Sequence, residues 1–223
     1  MRIIYPIVFL ISALTTTQAA TLFSDSFENP PDVVGNNPVG WTVSNPGIVI
    51  TNAVASEGSQ SVFIPNGPNR TTTQVGTVDL TGGGDLTFSF DYGVDDTFEP
   101  SDGLVAFSID FGSGYQVIVN DMGAPDGVNS IYSGTTITLS DAAGSGASTF
   151  LGYTITIEES YYTGLGATTA QLRYIMNSGG GSESSHLDNV VVSTSIPEPS
   201  TYGLMMAIGG GLLVMIRRRI RQS

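Results

Sequence analysis

Few residues in this chain have the chemistry for covalent catalysis. His186 is the only histidine in 223 residues, and there is no cysteine. That excludes a Cys nucleophile and Cys-ligated zinc or iron–sulfur centres, and one histidine cannot build a His-rich catalytic zinc site. Ser182, Ser184 and Ser185 precede His186, and Asp188 follows it, which raises a Ser-His-Asp reading. The spacing opposes it. On a strand, residues 186 and 188 point the same way, whereas the imidazole needs an acid behind it and a serine in front. No Gly-x-Ser-x-Gly elbow is present. Glycoside hydrolysis needs two carboxyl groups about 5–10 Å apart. Asp95-Asp96 and Glu158-Glu159 are sequence neighbours, which face opposite sides if they lie on strands. A pair drawn from different strands stays open. The expectation is a protein that is not an enzyme.

Binding chemistry is better represented. The segment Asp91–Gly103 holds five acids and reads as a solvated loop or a cation site, although it lacks the spacing of an EF-hand. Tyr115, Tyr132, Tyr161 and Tyr162 could stack on sugar rings if they line a groove or loop face, and Tyr161 and Tyr162 are the candidate ligand-binding pair. Trp41, the only tryptophan, reads as core.

Charge narrows the partners. Between residues 21 and 196 there are two bases, Arg70 and Arg173, against 19 acids, a net charge of −17. Such a surface repels nucleic acid and favours solubility and divalent cations.

The two ends read as addresses. Met1-Arg2, the apolar run Ile3 to Leu14 and the small residues up to Ala20 form a signal peptide, with cleavage after Ala19 and residues 1–19 removed. At the other end stand Pro197-Glu198-Pro199, an apolar segment at about 201–216 and the cluster Arg217, Arg218, Arg219 and Arg221. Sixteen helical residues reach about 24 Å, short of a hydrocarbon core of about 30 Å, a gap that snorkelling arginines can close. The arginines predict a cytoplasmic C-terminus with the body outside. The prolines bias their neighbours towards extended backbone, which suits a processing cleft.

This ordered tail resembles the PEP-CTERM sorting signal. The resemblance covers about residues 196–221, within a sorting segment assigned as residues 195–223. It implies recognition and processing by an exosortase-type membrane enzyme near Pro197-Glu198-Pro199. It also implies an inner-membrane intermediate held by the C-terminal transmembrane helix, then delivery to the cell envelope, the outer surface or the extracellular space. The host implied is a Gram-negative-type bacterium that makes exopolysaccharide.

The body, residues 21–194, reads as strands joined by Gly-, Asn-, Pro-, Asp- and Ser-rich turns. Leu86, Phe88, Phe90 and Tyr92 alternate onto one face, and Tyr153, Ile155 and Ile157 do likewise. Further strands are expected at Trp41–Val43, Ile48–Val54, Ser61–Ile64, Gln74–Leu80, Leu104–Phe111, Tyr115–Val119, Ala170–Met176 and Leu187–Val192, and in part of Ile131–Leu139. No amphipathic helix and no fixed-period repeat stands out in the body. About ten strands predict an all-β fold, a jelly-roll β-sandwich.

The order Ser26-Phe27-Glu28, Gly40-Trp41, Gly58-Ser59 and His186-Leu187-Asp188-Asn189-Val190 resembles the jelly-roll carbohydrate-binding-module and galactose-binding-like superfamily. The resemblance implies a structural calcium, with Glu28 and Asp188 as carboxylate ligands and a backbone carbonyl near Gly58 or Ser59 completing the site. Calcium takes 6–8 oxygens and could clip the two ends of the domain together. The resulting expectation is a structural or adhesive protein of a biofilm or extracellular matrix. The alternative is a carbohydrate-binding module for exopolysaccharide, and a secreted glycan-active hydrolase is a third reading.

Overall fold

The computed structural model describes residues 17–28, 32–94, 103–120, 129–130, 135–141, 149–178 and 184–197. The strands are β1 (Thr17–Asp25), β2 (Trp41–Val43), β3 (Val49–Thr51), β4 (Ser61–Ile64), β5 (Arg70–Gln74), β6 (Val78–Asp79), β7 (Leu86–Val94), β8 (Gly103–Asp110), β9 (Tyr115–Asn120), β10 (Asn129–Ser130), β11 (Thr135–Asp141), β12 (Thr149–Ile157), β13 (Thr169–Ser178) and β14 (Ser185–Pro197). One short helix, α1 (Glu159–Gly164), joins β12 to β13.

The strands form two seven-stranded sheets. Sheet one runs β11-β12-β7-β14-β4-β3, with β1 also pairing β14. Sheet two runs β10-β9-β8-β13-β5-β2, with β6 also pairing β13. Every pairing with a stated register is antiparallel. The architecture is a jelly-roll sandwich.

The period-two pattern explains why the sheets close face to face. Leu86, Phe88, Phe90 and Tyr92 are all at most 2 % exposed, while Thr87, Ser89 and Asp91 between them are partly exposed. On β13, Ala170, Leu172, Tyr174 and Met176 are buried in the same way. Phe90 meets Tyr174 edge-on at 4.9 Å and stacks on Tyr153 at 5.2 Å, so aromatic rings from both sheets fill the centre. Trp41 is core, as its sequence context suggests, packed against Phe23, Phe27 and Tyr174.

Several expectations shift. The anticipated strand over Gln74–Leu80 divides between the ends of β5 and β6. β1 begins at Thr17, within the segment read as a leader. Helix α1 appears where no helix was expected, and it has only one buried residue, Tyr162. Six residues are too few for the periodicity of an amphipathic helix to register. The compact unit spans Ala19–Ser195, and a second unit comprises Met1–Gln18 and Ile196–Ser223. Among the described residues no helix is long and apolar enough to cross a membrane. The anticipated membrane segment 201–216 lies outside the described residues, as do Glu198, Pro199, Arg217, Arg218, Arg219 and Arg221.

Candidate functional site

Two places gather polar side chains. The first is the outer face of sheet two. Because alternate residues of β13 point inward, Gln171, Arg173, Ile175 and Asn177 point away from the core. Register places Ser108 of β8 and Thr73 of β5 on either side of Arg173. Asp110 lies opposite Gln171, and Tyr115 of β9 lies opposite Asp110.

These side chains are held in place. The Arg173 guanidinium carbon sits 3.9 Å from the centre of the Tyr115 ring, a cation–π contact. The Tyr115 hydroxyl donates to Gln171 Oε1 at 2.5 Å, and Gln171 Nε2 donates to the Gln74 carbonyl at 2.7 Å. Burial raises the Tyr115 pKa, a rise that neighbouring Arg173 opposes. Burial lowers that of Arg173, against the pull of Tyr115 and Asp110. Ser108 is fully buried, and neither its Oγ nor Arg173 Nε has a hydrogen-bond partner. The result is an outward face with one aromatic ring, one guanidinium and amide groups, while the Ser108 hydroxyl is buried.

The second place is the turn over residues 56–60, which joins the ends of the domain. Glu28, just after β1, accepts hydrogen bonds from Ser59 N at 2.7 Å, Ser59 Oγ at 2.9 Å and Gln60 N at 2.5 Å. Those donors offset a burial that acts to raise its pKa, leaving it below the usual glutamate range. Asp188 Oδ2 accepts from Ser56 N at 2.9 Å and Glu57 N at 3.3 Å, and Oδ1 accepts from Asn189 N at 2.8 Å. Burial pushes Asp188 up to about 6, and these donors pull the other way. The backbone is left-handed at Phe27, Gly58 and Asn189, beside each of these groups. At Gly58, with φ +67°, a Cβ would meet the Glu28 carboxyl, so a side chain there would be strained and would displace that carboxyl. The β14 ladder shifts register between Asp188 and Val191, a bulge that accommodates Asn189.

The anticipated calcium ligands Glu28, Ser59 and Asp188 therefore meet on one turn. Gln60 Oε1, on the same turn, is buried without a partner. The available side-chain donors are all oxygen, the type a hard cation takes. Against this, the carboxylates already accept N–H groups. Among the described residues no three His, Cys, Asp or Glu side chains form a metal cluster.

The other candidates separate. Tyr162 is 1 % exposed, stacks on Phe111 at 6.3 Å and donates to the Gly84 carbonyl, so its ring has no open face for a sugar. Tyr161 packs against the core, edge-on to Phe111 at 6.0 Å, and donates to Gln116. Helix α1 turns both rings towards the sandwich rather than onto a groove. Glu158 and Glu159 lie at the start of α1, not on a strand. Asp95, Asp96 and most of the acid-rich segment lie outside the described residues, as does Tyr132.

His186 meets Ser61, not a serine near it in sequence, with 3.3 Å between Nδ1 and Ser61 Oγ. Both residues are buried, and Ser61 Oγ donates to the Val54 carbonyl at 2.8 Å, so its proton is not directed to the imidazole. A cross-strand carboxylate pair does exist, because Asp188 lies opposite Asp91. Ser56 Oγ lies 2.7 Å from Asp91 and 3.0 Å from Asp188. Asp188 is fully buried, however, and cannot reach a glycosidic bond.

Arg173 and Ser108 escaped the sequence reading as site residues. The one available signal was scarcity, since Arg173 is one of two bases in an acidic body.

Residues 195–221 match the PEP-CTERM protein-sorting motif. That motif implies export, processing by an exosortase and sorting to the cell envelope or surface. No curated protein matches the chain. Among solved structures the chain is similar to the CBM22-1 xylan-binding domain of Paenibacillus barcinonensis Xyn10C, with 14 % identity, coverage of 81 % of this chain and 98 % of that one, and a TM-score of 0.40. It is also similar to the K3 cleaved adhesin domain of Lys-gingipain from Porphyromonas gingivalis, with 15 % identity, 78 % and 100 % coverage, and a TM-score of 0.47. A third is the Stig cyclase Fisc from Fischerella sp. TAU, with 17 % identity, 81 % and 100 % coverage, and a TM-score of 0.47.

Proposed function

We propose that this protein is an exported surface protein, processed by an exosortase-type enzyme, whose sandwich binds polysaccharide without catalysis. The observation that supports this is the Arg173 guanidinium stacked on Tyr115, with the Gln171 amide beside them, on an outward sheet face. Glycan recognition draws on such a mixture of a planar apolar surface and directional polar groups. The hydrogen bonds from Tyr115 to Gln171 and from Gln171 to Gln74 set the rotamers before a ligand arrives, which lowers the ordering cost of binding. The sorting motif supports the setting, because a protein delivered to the surface meets extracellular polysaccharide. The C-terminal segment 201–216 would hold the membrane-bound intermediate until processing.

The test is binding of the full chain to exopolysaccharide from a producing strain, comparing wild type with Tyr115→Ala. Loss of up to about tenfold in affinity is expected, since an aromatic contact to a ring is worth about 0.5–1.5 kcal/mol and its removal also frees Gln171 and Arg173. Unchanged binding in this variant would move the site away from sheet two. Absence of any glycan binding would favour a purely structural or adhesive role.

We also propose that the turn over residues 56–60 takes a calcium ion. Glu28 and Asp188 would supply carboxylates, with Ser59 and Gln60 as neighbouring oxygen donors. The orphaned Gln60 Oε1 supports this reading. Such an ion would neutralise two carboxylates at the junction of the domain's ends.

A further inference from the structure

The proposed glycan face carries one cation, Arg173, stacked on a tyrosine ring. The body has 19 acids for two bases. One base, Arg70, sits at the start of β5, where its Nε donates to the Asn66 carbonyl at 3.3 Å. The other, Arg173, stands mid-strand in sheet two, where its guanidinium lies over the Tyr115 ring and its Nε has no hydrogen-bond partner among the described residues. The acid that bears on it electrostatically, Asp110, has one carboxylate oxygen engaged elsewhere. Its Oδ1 accepts Gly112 N at 2.7 Å and Gly114 N at 2.9 Å, closing the β8–β9 hairpin. Arg173 Nε is shut off from solvent by its neighbours while the residue as a whole stays partly exposed. A guanidinium stripped of part of its water holds a carboxylate more firmly than a fully hydrated one, and its planar fork matches carboxylate geometry.

The surrounding field limits what that carboxylate can be attached to. No second base lies on this face, and the body's charge of −17 repels any densely charged chain. The repulsion is screened beyond about 8 Å at physiological salt, so one isolated negative group over Arg173 is tolerated while a row of them is not. We infer that the Arg173 face selects glycans that carry isolated carboxylates, a single uronate among neutral sugars, over both neutral glycans and polyuronates. This rests on the carbohydrate reading above.

Calorimetric titration of the full chain with four tetrasaccharides tests it. The probes are a neutral tetrasaccharide, its counterpart with one uronate, the same compound with the carboxylate converted to a carboxamide, and a tetrauronate. The mono-uronate should bind about tenfold more tightly than the other three, the ratio expected for one charge-assisted contact. In Arg173→Gln the advantage of mono-uronate over carboxamide should collapse, with a retained melting transition confirming the fold. If that variant does not fold, the carboxamide comparison decides the matter on unaltered protein. Equal affinity for neutral, carboxamide and mono-uronate probes, or tighter binding of the tetrauronate, overturns the inference and leaves carbohydrate binding standing. Failure to bind any probe or the native polysaccharide removes both.

Discussion

Single side chains in this protein are read most clearly where a polar group is buried with a named partner. Asp25 is one. Its Oδ2 accepts the Trp41 indole N–H at 2.7 Å, and its Oδ1 accepts Phe27 N at 2.9 Å. Burial raises its pKa above the usual 3.8, and the two donors only partly offset that. The folded state therefore holds the Asp25 proton more tightly than the unfolded chain does. The stability linked to this group rises as pH falls through the folded pKa and levels off below 3.8. Trp41 is the only tryptophan and contacts the carboxyl directly, so its emission should titrate with a midpoint above 3.8. A midpoint at or below 3.8, or a titration that persists in Asp25→Asn, would contradict this. Tyr162 shows the converse case. Its hydroxyl is satisfied by Gly84 and its ring by Phe111, so nothing about it is left to recognise a ligand.

At the scale of elements, the notable device is the junction of β1, β14 and the turn over residues 56–60. Two acids far apart in sequence hold the N–H groups of adjacent residues in one turn. Losing one partner of a buried, charged hydrogen-bond set costs about 3–5 kcal/mol. Asp188→Ala should therefore lower the melting temperature by about 6–20 °C for a domain this size, at about 2–4 °C per kcal/mol. If calcium binds as proposed, a chelator should lower the melting temperature of wild type but leave that of Asp188→Ala unchanged. An equal response in the two proteins, or none in wild type, would refute the calcium proposal and leave the turn as a hydrogen-bonded clip. Gly84 is constrained in a related way. Its φ is +91°, and a Cβ there would collide with the Ser195 carbonyl, so β14 stays tied to the segment before β7 only with glycine at this position.

For the molecule as a whole, charge and delivery are linked. Four of its seven bases lie in the C-terminal cluster, Arg217, Arg218, Arg219 and Arg221. Processing near Pro197-Glu198-Pro199 would remove all four and leave the body with Arg70 and Arg173 alone. Mass spectrometry of the protein recovered from the cell surface should find a C-terminus close to Pro199 and no peptide from the arginine cluster. Recovery of the intact cluster from surface-exposed protein would falsify processing at this motif.

How much of this was legible beforehand depends on whether the information is local. The sorting motif is a linear string read by another protein, so residues 195–221 could be recognised without any fold. The two sheets were legible because side-chain alternation has a period of two, and Leu86, Phe88, Phe90 and Tyr92 display it without interruption. Glu28 and Asp188 could be anticipated because each sits in a short motif at one end of the domain. Sequence alone could not say that N–H groups face both carboxylates, since that depends on left-handed backbone at Phe27, Gly58 and Asn189. Nor could it choose among the tyrosines. Tyr161 and Tyr162 are adjacent in sequence and looked like a platform, but a six-residue helix turns them against Phe111. The face that unites Tyr115, Ser108 and Arg173 comes from three separate strands. Strand register, which long-range pairing sets, is what brings a lone arginine over a tyrosine ring.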